Sequence, residues 1–151
     1  MVNKLSTFME FVQAISESDI AKPRTNLGID RKQMPQISSQ DVNEFISYLK
    51  SLGHAVTKST LPIIQLKMTQ KEFNDDKVKH LMKKGKSQLS KPVIVSKDNY
   101  LLDGHHRFLA LYNLDSSSKI PVVKVDVAIH TLLNLAKSFP KTYSKSIHES
   151  I

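Results

Sequence analysis

The chain has no cysteine among its 151 residues. That rules out disulfides, thiolate metal sites and sulfur nucleophiles, so any chemistry must run on histidine, carboxylates, hydroxyls, lysine or arginine. A reducing, cytoplasmic compartment is the expectation. No stretch of about 18 apolar residues is present to span a bilayer, and the opening MVNKLSTFMEFVQAISESD lacks the unbroken apolar run of a signal peptide. A soluble protein with no membrane partner is expected. The chain also lacks a Walker-type glycine loop, a GxSxG elbow and an HExxH pair, which leaves the corresponding nucleotide, acyl-transfer and zinc-protease mechanisms without support.

What is present is 40% hydrophobic and 24% charged residues, enough for one ordinary domain to bury a core without staples. The net charge of +8 is unevenly spread. Residues 1–60 carry seven Lys/Arg against six Asp/Glu, and residues 61–151 carry fifteen against eight. The basic second half suits polyanions, whether nucleic acid or nucleotide phosphate, and suits a solvated lysine-rich face equally well.

Phe8, Met9, Phe11, Val12 and Ile15 recur at helical spacing and predict a short amphipathic helix at the start. Pro23, Gly28 and Pro35 then punctuate an irregular arm whose Arg24, Arg31 and Lys32 read as solvated charges within reach of a phosphate. Ser38 or Ser39 can cap a helix with Val42, Phe45, Ile46, Leu49 and Leu52 on one stripe, stopped by Gly53. Residues 1–60 therefore read as a helical amino-terminal extension and arm, residues 61–139 as an α/β (α+β) domain, and residues 140–151 as a polar tail that frays.

Within that domain, LPIIQLK (61–67) reads as a strand. A helix follows with Asn74 or Asp75 as cap, Val78, Leu81 and Met82 inward, and Gly85 as stop. KPVIVS and NYLLD read as two strands joined by Lys97 and Asp98, and the second runs straight into Gly104 and the helix HHRFLALYNL. IPVVKVDV (120–127) and AIHTLLNLAKSF (128–139) read as the last strand and helix.

The stretch DGHHR, Asp103 to Arg107, carries the most chemistry. A strand turning through glycine into a helix leaves the first helical amides without intrahelical partners, a natural place for an anion. Gly104 permits close approach of the backbone, and Arg107 supplies a permanently charged fork suited to phosphate oxygens. Successive helical residues point about 100° apart, so His105 and His106 cannot both face one ligand; one can bind phosphate while the other bonds Asp103 or the sheet. The structural alternative is a plain Asp-Gly turn with half-exposed histidines and a surface arginine. The histidines lack the i, i+4 pairing of a zinc site.

The order strand, helix, KPVIVSKDNYLLDGHHRFLALYNL, strand IPVVKVDV resembles the ParB/sulfiredoxin-like superfamily, in which a small mixed sheet with flanking helices presents a Gly-x-x-Arg turn to nucleotide phosphates. Within it, DGHHR is most similar to small, often phage-encoded ParB-like proteins labelled nucleases, and to the free serine kinases of the same fold. The resemblance spans roughly residues 61–127. It implies phosphate binding at Gly104, His105, His106 and Arg107, ATP or a related nucleotide with Mg²⁺, and phosphoryl transfer or hydrolysis in a bacterial or phage-infected cell. The cysteine of sulfiredoxin is missing, which excludes sulfinic acid reduction. The Gly-Glu-Arg-Arg turn and the helix-turn-helix domain of partitioning ParB are missing too, which argues against centromere binding.

In the kinase branch a glutamate after the first strand acts as base, and the matching candidate is Glu72, with Gln70 beside it; a helix-entry carboxylate is the plain alternative. The catalytic set implied is thus Glu72, His105 and His106, with Asp103 as the Mg²⁺ ligand. Two other classes remain open. A nuclease or nucleic-acid-binding module would contact DNA or RNA weakly through Lys83, Lys84 and Lys86, and a noncatalytic interaction protein would keep only the fold.

Overall fold

The computed structural model describes residues 20–23, 26–89 and 91–143. The helix expected around Phe8 to Ile15, the position of Arg24, and most of the polar tail lie outside the described residues. Among the described residues there are four α-helices and six strands in two sheets, a mixed α+β fold as expected. The strands are β1 (Asn26–Ile29), β2 (Val56–Pro62), β3 (Met68–Gln70), β4 (Val93–Val95), β5 (Leu101–Asp103) and β6 (Lys119–Val125). The helices are α1 (Val42–Ser51), α2 (Asp75–Lys84), α3 (His105–Leu114) and α4 (Ile129–Ser138).

The larger sheet runs β2-β6-β4-β5, with β6 antiparallel to β2 and parallel to β4, and β4 antiparallel to β5. Its central strands are largely apolar, β4 entirely and β6 apart from Lys119 and Lys124, because both faces are covered, and neighbouring residues go to opposite sides. Val93, Val95, Leu101, Ile120 and Val122 face the layer holding Val78 of α2 and Phe108 and Leu109 of α3. Ile94, Leu102, Val123 and Val125 face Phe45 and Leu49 of α1 and Leu132 and Ala136 of α4. Met34, Ile37 and α1 share that second cluster, so the segment read as an extension through residue 60 contributes directly to the core.

Two parts of the sequence reading differ from the structure. The strand expected over 61–67 lies earlier, because all seven residues of β2 pair with β6 from Val56–Val125 to Pro62–Lys119. Ile63–Gln65 then form a 3₁₀ turn that buries Ile63 and leaves Ile64 exposed. The arm is not irregular throughout: β1 pairs in parallel with β3, and a bridge between Lys67 and Tyr100 sets this small sheet against the β5 edge. The first residues of the tail are also tied down, since Tyr143 pairs with Gln36 through reciprocal backbone bonds of 2.7 and 3.0 Å.

The cap and stop read for α2 appear where the sequence placed them, whereas the cap expected at Ser38 or Ser39 does not form. Asn74 caps α2 by accepting the Lys77 amide at 3.0 Å, and Gly85 ends the helix at φ 82°. Ser38 precedes a short 3₁₀ turn ahead of α1 without a side-chain cap bond. In the β4-β5 hairpin Asn99 joins the turn instead of the strand, with φ 68°, a left-handed conformation that asparagine tolerates.

Candidate functional site

At the end of β5 the chain turns through Gly104, at φ 94° and ψ 22°, directly into α3. Two constraints select glycine. The left-handed backbone disfavours a side chain, and a Cβ placed there would collide with Val93 Cγ1 and come within 3.0 Å of an Arg107 terminal nitrogen. Gly104 has no side chain to cap the helix, and the residues of its first turn line a cavity, which brings the positive end of the helix dipole to that space.

That turn forms one wall of a cavity of about 580 Å³, within the roughly 300–1,000 Å³ usual for small-ligand sites. Five basic side chains line it: Arg31 from the arm, Lys77 and Lys84 from α2, Lys91, and Arg107. Asp103 is the one carboxylate among the lining residues. Such an excess of positive charge around a helix start is the electrostatics of an oxyanion site.

The individual side chains take different parts. Arg107 donates from its terminal nitrogen to the Pro92 carbonyl at 2.9 Å, while its Nε is buried without a hydrogen-bond partner. Burial pushes the Asp103 carboxyl above the ordinary carboxylate range, against the pull of Arg107. Arg31, read as a solvated charge from the sequence, is buried, and loss of water lowers its affinity for its proton while nearby Asp103 raises it. It is the functional candidate that the sequence reading undervalued. Only its contacts across the fold mark it, and no local pattern does.

Both histidines are buried at the cavity, and each turns Nε2 to the backbone. The Thr69 amide donates to His105 Nε2 at 3.1 Å, with the Gln70 amide at 3.4 Å, and the Asn74 amide donates to His106 Nε2 at 2.9 Å. A nitrogen that accepts an amide proton must be unprotonated, so the neutral His105 ring carries its hydrogen on Nδ1, while His106 has Nδ1 3.5 Å from the Arg31 guanidinium. Burial, aided by Arg31, pushes the His105 pKa down to about 3. The two rings thus fix β3 and the start of α2 against the Gly104 turn.

The remaining candidates divide. Glu72 does not line the cavity; its carboxylate accepts the Arg31 amide at 3.4 Å, beside the 3.0 Å ion pair of Asp30 and Lys71. Gln70 does line it, with its side-chain amide donating to the Glu72 carbonyl at 2.7 Å. Of the lysines expected to meet nucleic acid, Lys84 reaches the cavity, Lys83 is exposed and does not line it, and Lys86 pairs with Asp115 at 2.7 Å.

Magnesium takes one or two carboxylates together with phosphate oxygens and water. Asp103 fits that role only alongside a bound phosphate, because among the described residues no group of three or more acidic or histidine side chains gathers around one point. No helix among the described residues is long and apolar enough to cross a membrane. No family model, curated protein or solved structure matched the chain.

Proposed function

We propose that the cavity binds the phosphates of an ATP-type nucleotide with Mg²⁺, and that the protein transfers or hydrolyses a phosphoryl group there in the manner of ParB/sulfiredoxin-like proteins. The observation that carries this reading is a cavity lined by five basic side chains, the first turn of α3 and a single carboxylate. Phosphoryl transfer asks a protein mainly for positioning and for charge around the transferring group. Arg107 and Arg31 supply guanidinium charges, and Lys77, Lys84 and Lys91 add three ammonium groups. Mg²⁺, held by Asp103 with the phosphates, would neutralise developing charge.

Within this reading the histidines position the site, because their Nε2 atoms hold backbone amides. Asp103, the one carboxylate lining the cavity, would act on a proton or hold the metal, and Glu72 supports the Arg31 backbone. A nuclease would need a phosphodiester strand to enter the same cavity and would draw on Lys83 beyond it. A thermal-shift screen of nucleotides and short oligonucleotides, with and without Mg²⁺, tests the proposal, since ligands of the folded state raise its melting temperature. Nucleotide stabilisation strengthened by Mg²⁺ is expected. Stabilisation by oligonucleotides alone would favour the nuclease reading, and no response to either would favour a noncatalytic protein.

A further inference from the structure

A second cavity, of about 490 Å³, lies beside the cationic one. Ser39, Lys91, Asp103 and Arg107 line both, so the two share a wall built around the β5-α3 turn. Beyond that wall the chemistry changes. Val42 and Ile46 of α1, Pro92, Ile94 of β4 and Val123 of β6 provide carbon surfaces, and Gln40, Asn43 and Lys58 of β2 complete the lining.

We infer that the second cavity receives the nucleoside end, base and sugar, of the nucleotide whose phosphates occupy the first. This inference rests on the phosphate reading given above. A polyphosphate alone has no use for aliphatic walls, whereas a nucleobase has two apolar faces to bury and an edge of donors and acceptors to satisfy. Carboxamides carry both a donor and an acceptor, so Gln40 and Asn43 can pair with such an edge. The shared wall gives the connection a single ligand needs: Arg107 stands at both cavities, where a phosphate chain passes from one to the other. A small hydroxyl acceptor would leave most of the carbon surface uncovered, which makes the nucleoside the better occupant.

The test is calorimetric titration of the full chain with inorganic tripolyphosphate and with ATP, GTP, CTP and UTP. At least one nucleotide should bind tenfold or more tightly than tripolyphosphate, a margin of about 1.4 kcal/mol. Ile46→Trp, which sets a bulky ring into the second cavity, should reduce that margin several-fold and leave tripolyphosphate binding unchanged. Should that variant fail to fold, Gln40→Ala with Asn43→Ala, two exposed positions, should reduce discrimination among the four bases several-fold. Equal binding of all four nucleotides and tripolyphosphate by the wild type would overturn the inference and leave the phosphate site standing. A nucleotide margin undiminished in Ile46→Trp, or unchanged base discrimination in the double variant, would overturn it as well. Failure of tripolyphosphate and nucleotides alike would remove the phosphate reading itself, and the inference with it.

Discussion

His106, in the first turn of α3, accepts the backbone amide of Asn74 at 2.9 Å, and Asn74 in turn caps α2. A side chain at the start of one helix therefore fixes the start of another. Replacing His106 with Phe should keep the volume but strand a buried amide, at a cost of roughly 1–3 kcal/mol. His106→Gln, whose carbonyl can still accept, should recover part of it. Urea denaturation measures both. An unchanged midpoint in His106→Phe, with activity selectively lost, would show a ligand-facing histidine instead.

His105 makes stability depend on pH. Its folded pKa is pushed down to about 3 from 6.5, so below pH 6.5 the unfolded chain takes up a proton that the native ring refuses. Stability should be fully present above pH 6.5 and fall by about 1.4 kcal/mol per pH unit on acidification towards 3. Asp103, raised by burial, works the other way: the native state takes its proton first, offsetting part of the loss above pH 3.8. Denaturation midpoints between pH 7 and 4.5 should decline. A flat or rising profile over that range in Asp103→Asn, where the opposing carboxyl is gone, would mean that the His105 ring is not held neutral.

Gly104→Ala should destabilise the fold by about 3 kcal/mol, combining the strain of a left-handed backbone with the collision against Val93. Thermal melting reads the loss. A shift within a degree or two would mean that the turn relaxes and that Val93 is not close-packed against it.

The helices were legible in the sequence because their signals are local. The run HHRFLALYNL became α3 residue for residue, and Asn74 and Gly85 bound α2. Strand β2 was displaced in the reading because it is a sheet edge, largely exposed, and shows no apolar alternation, while Ile63 and Leu66 next to it are buried in a turn. Strand β1 exists through its pairing with β3, some forty residues away in the chain, which no local pattern encodes. At the site, Gly104, Arg107 and Asp103 converge as their spacing suggested, whereas the burial of Arg31 and the backbone bonds of the two histidines arise only when distant segments meet.

Two carboxylates compete for the chemical role. Asp103 lines the cavity and Glu72 does not, so Asp103→Asn should lower phosphoryl turnover by a factor of order 10² or more, with Glu72→Gln staying within a few-fold of wild type. Steady-state nucleotide hydrolysis with Mg²⁺ distinguishes them. The opposite ranking would assign the base to Glu72 and require the Arg31 turn to move when the ligand binds.

The most direct test of the central claim is titration of tripolyphosphate into the wild type and Arg107→Ala, with circular dichroism to establish that both are folded. Arg107 is half-exposed and makes one bond, to the Pro92 carbonyl, so its removal should leave the fold in place. The account predicts that the wild type binds, that affinity falls as salt rises, and that Arg107→Ala weakens binding by about tenfold or more, the scale of a charge-assisted hydrogen bond. Identical titration curves for the folded variant and the wild type, or no binding by either, would contradict it.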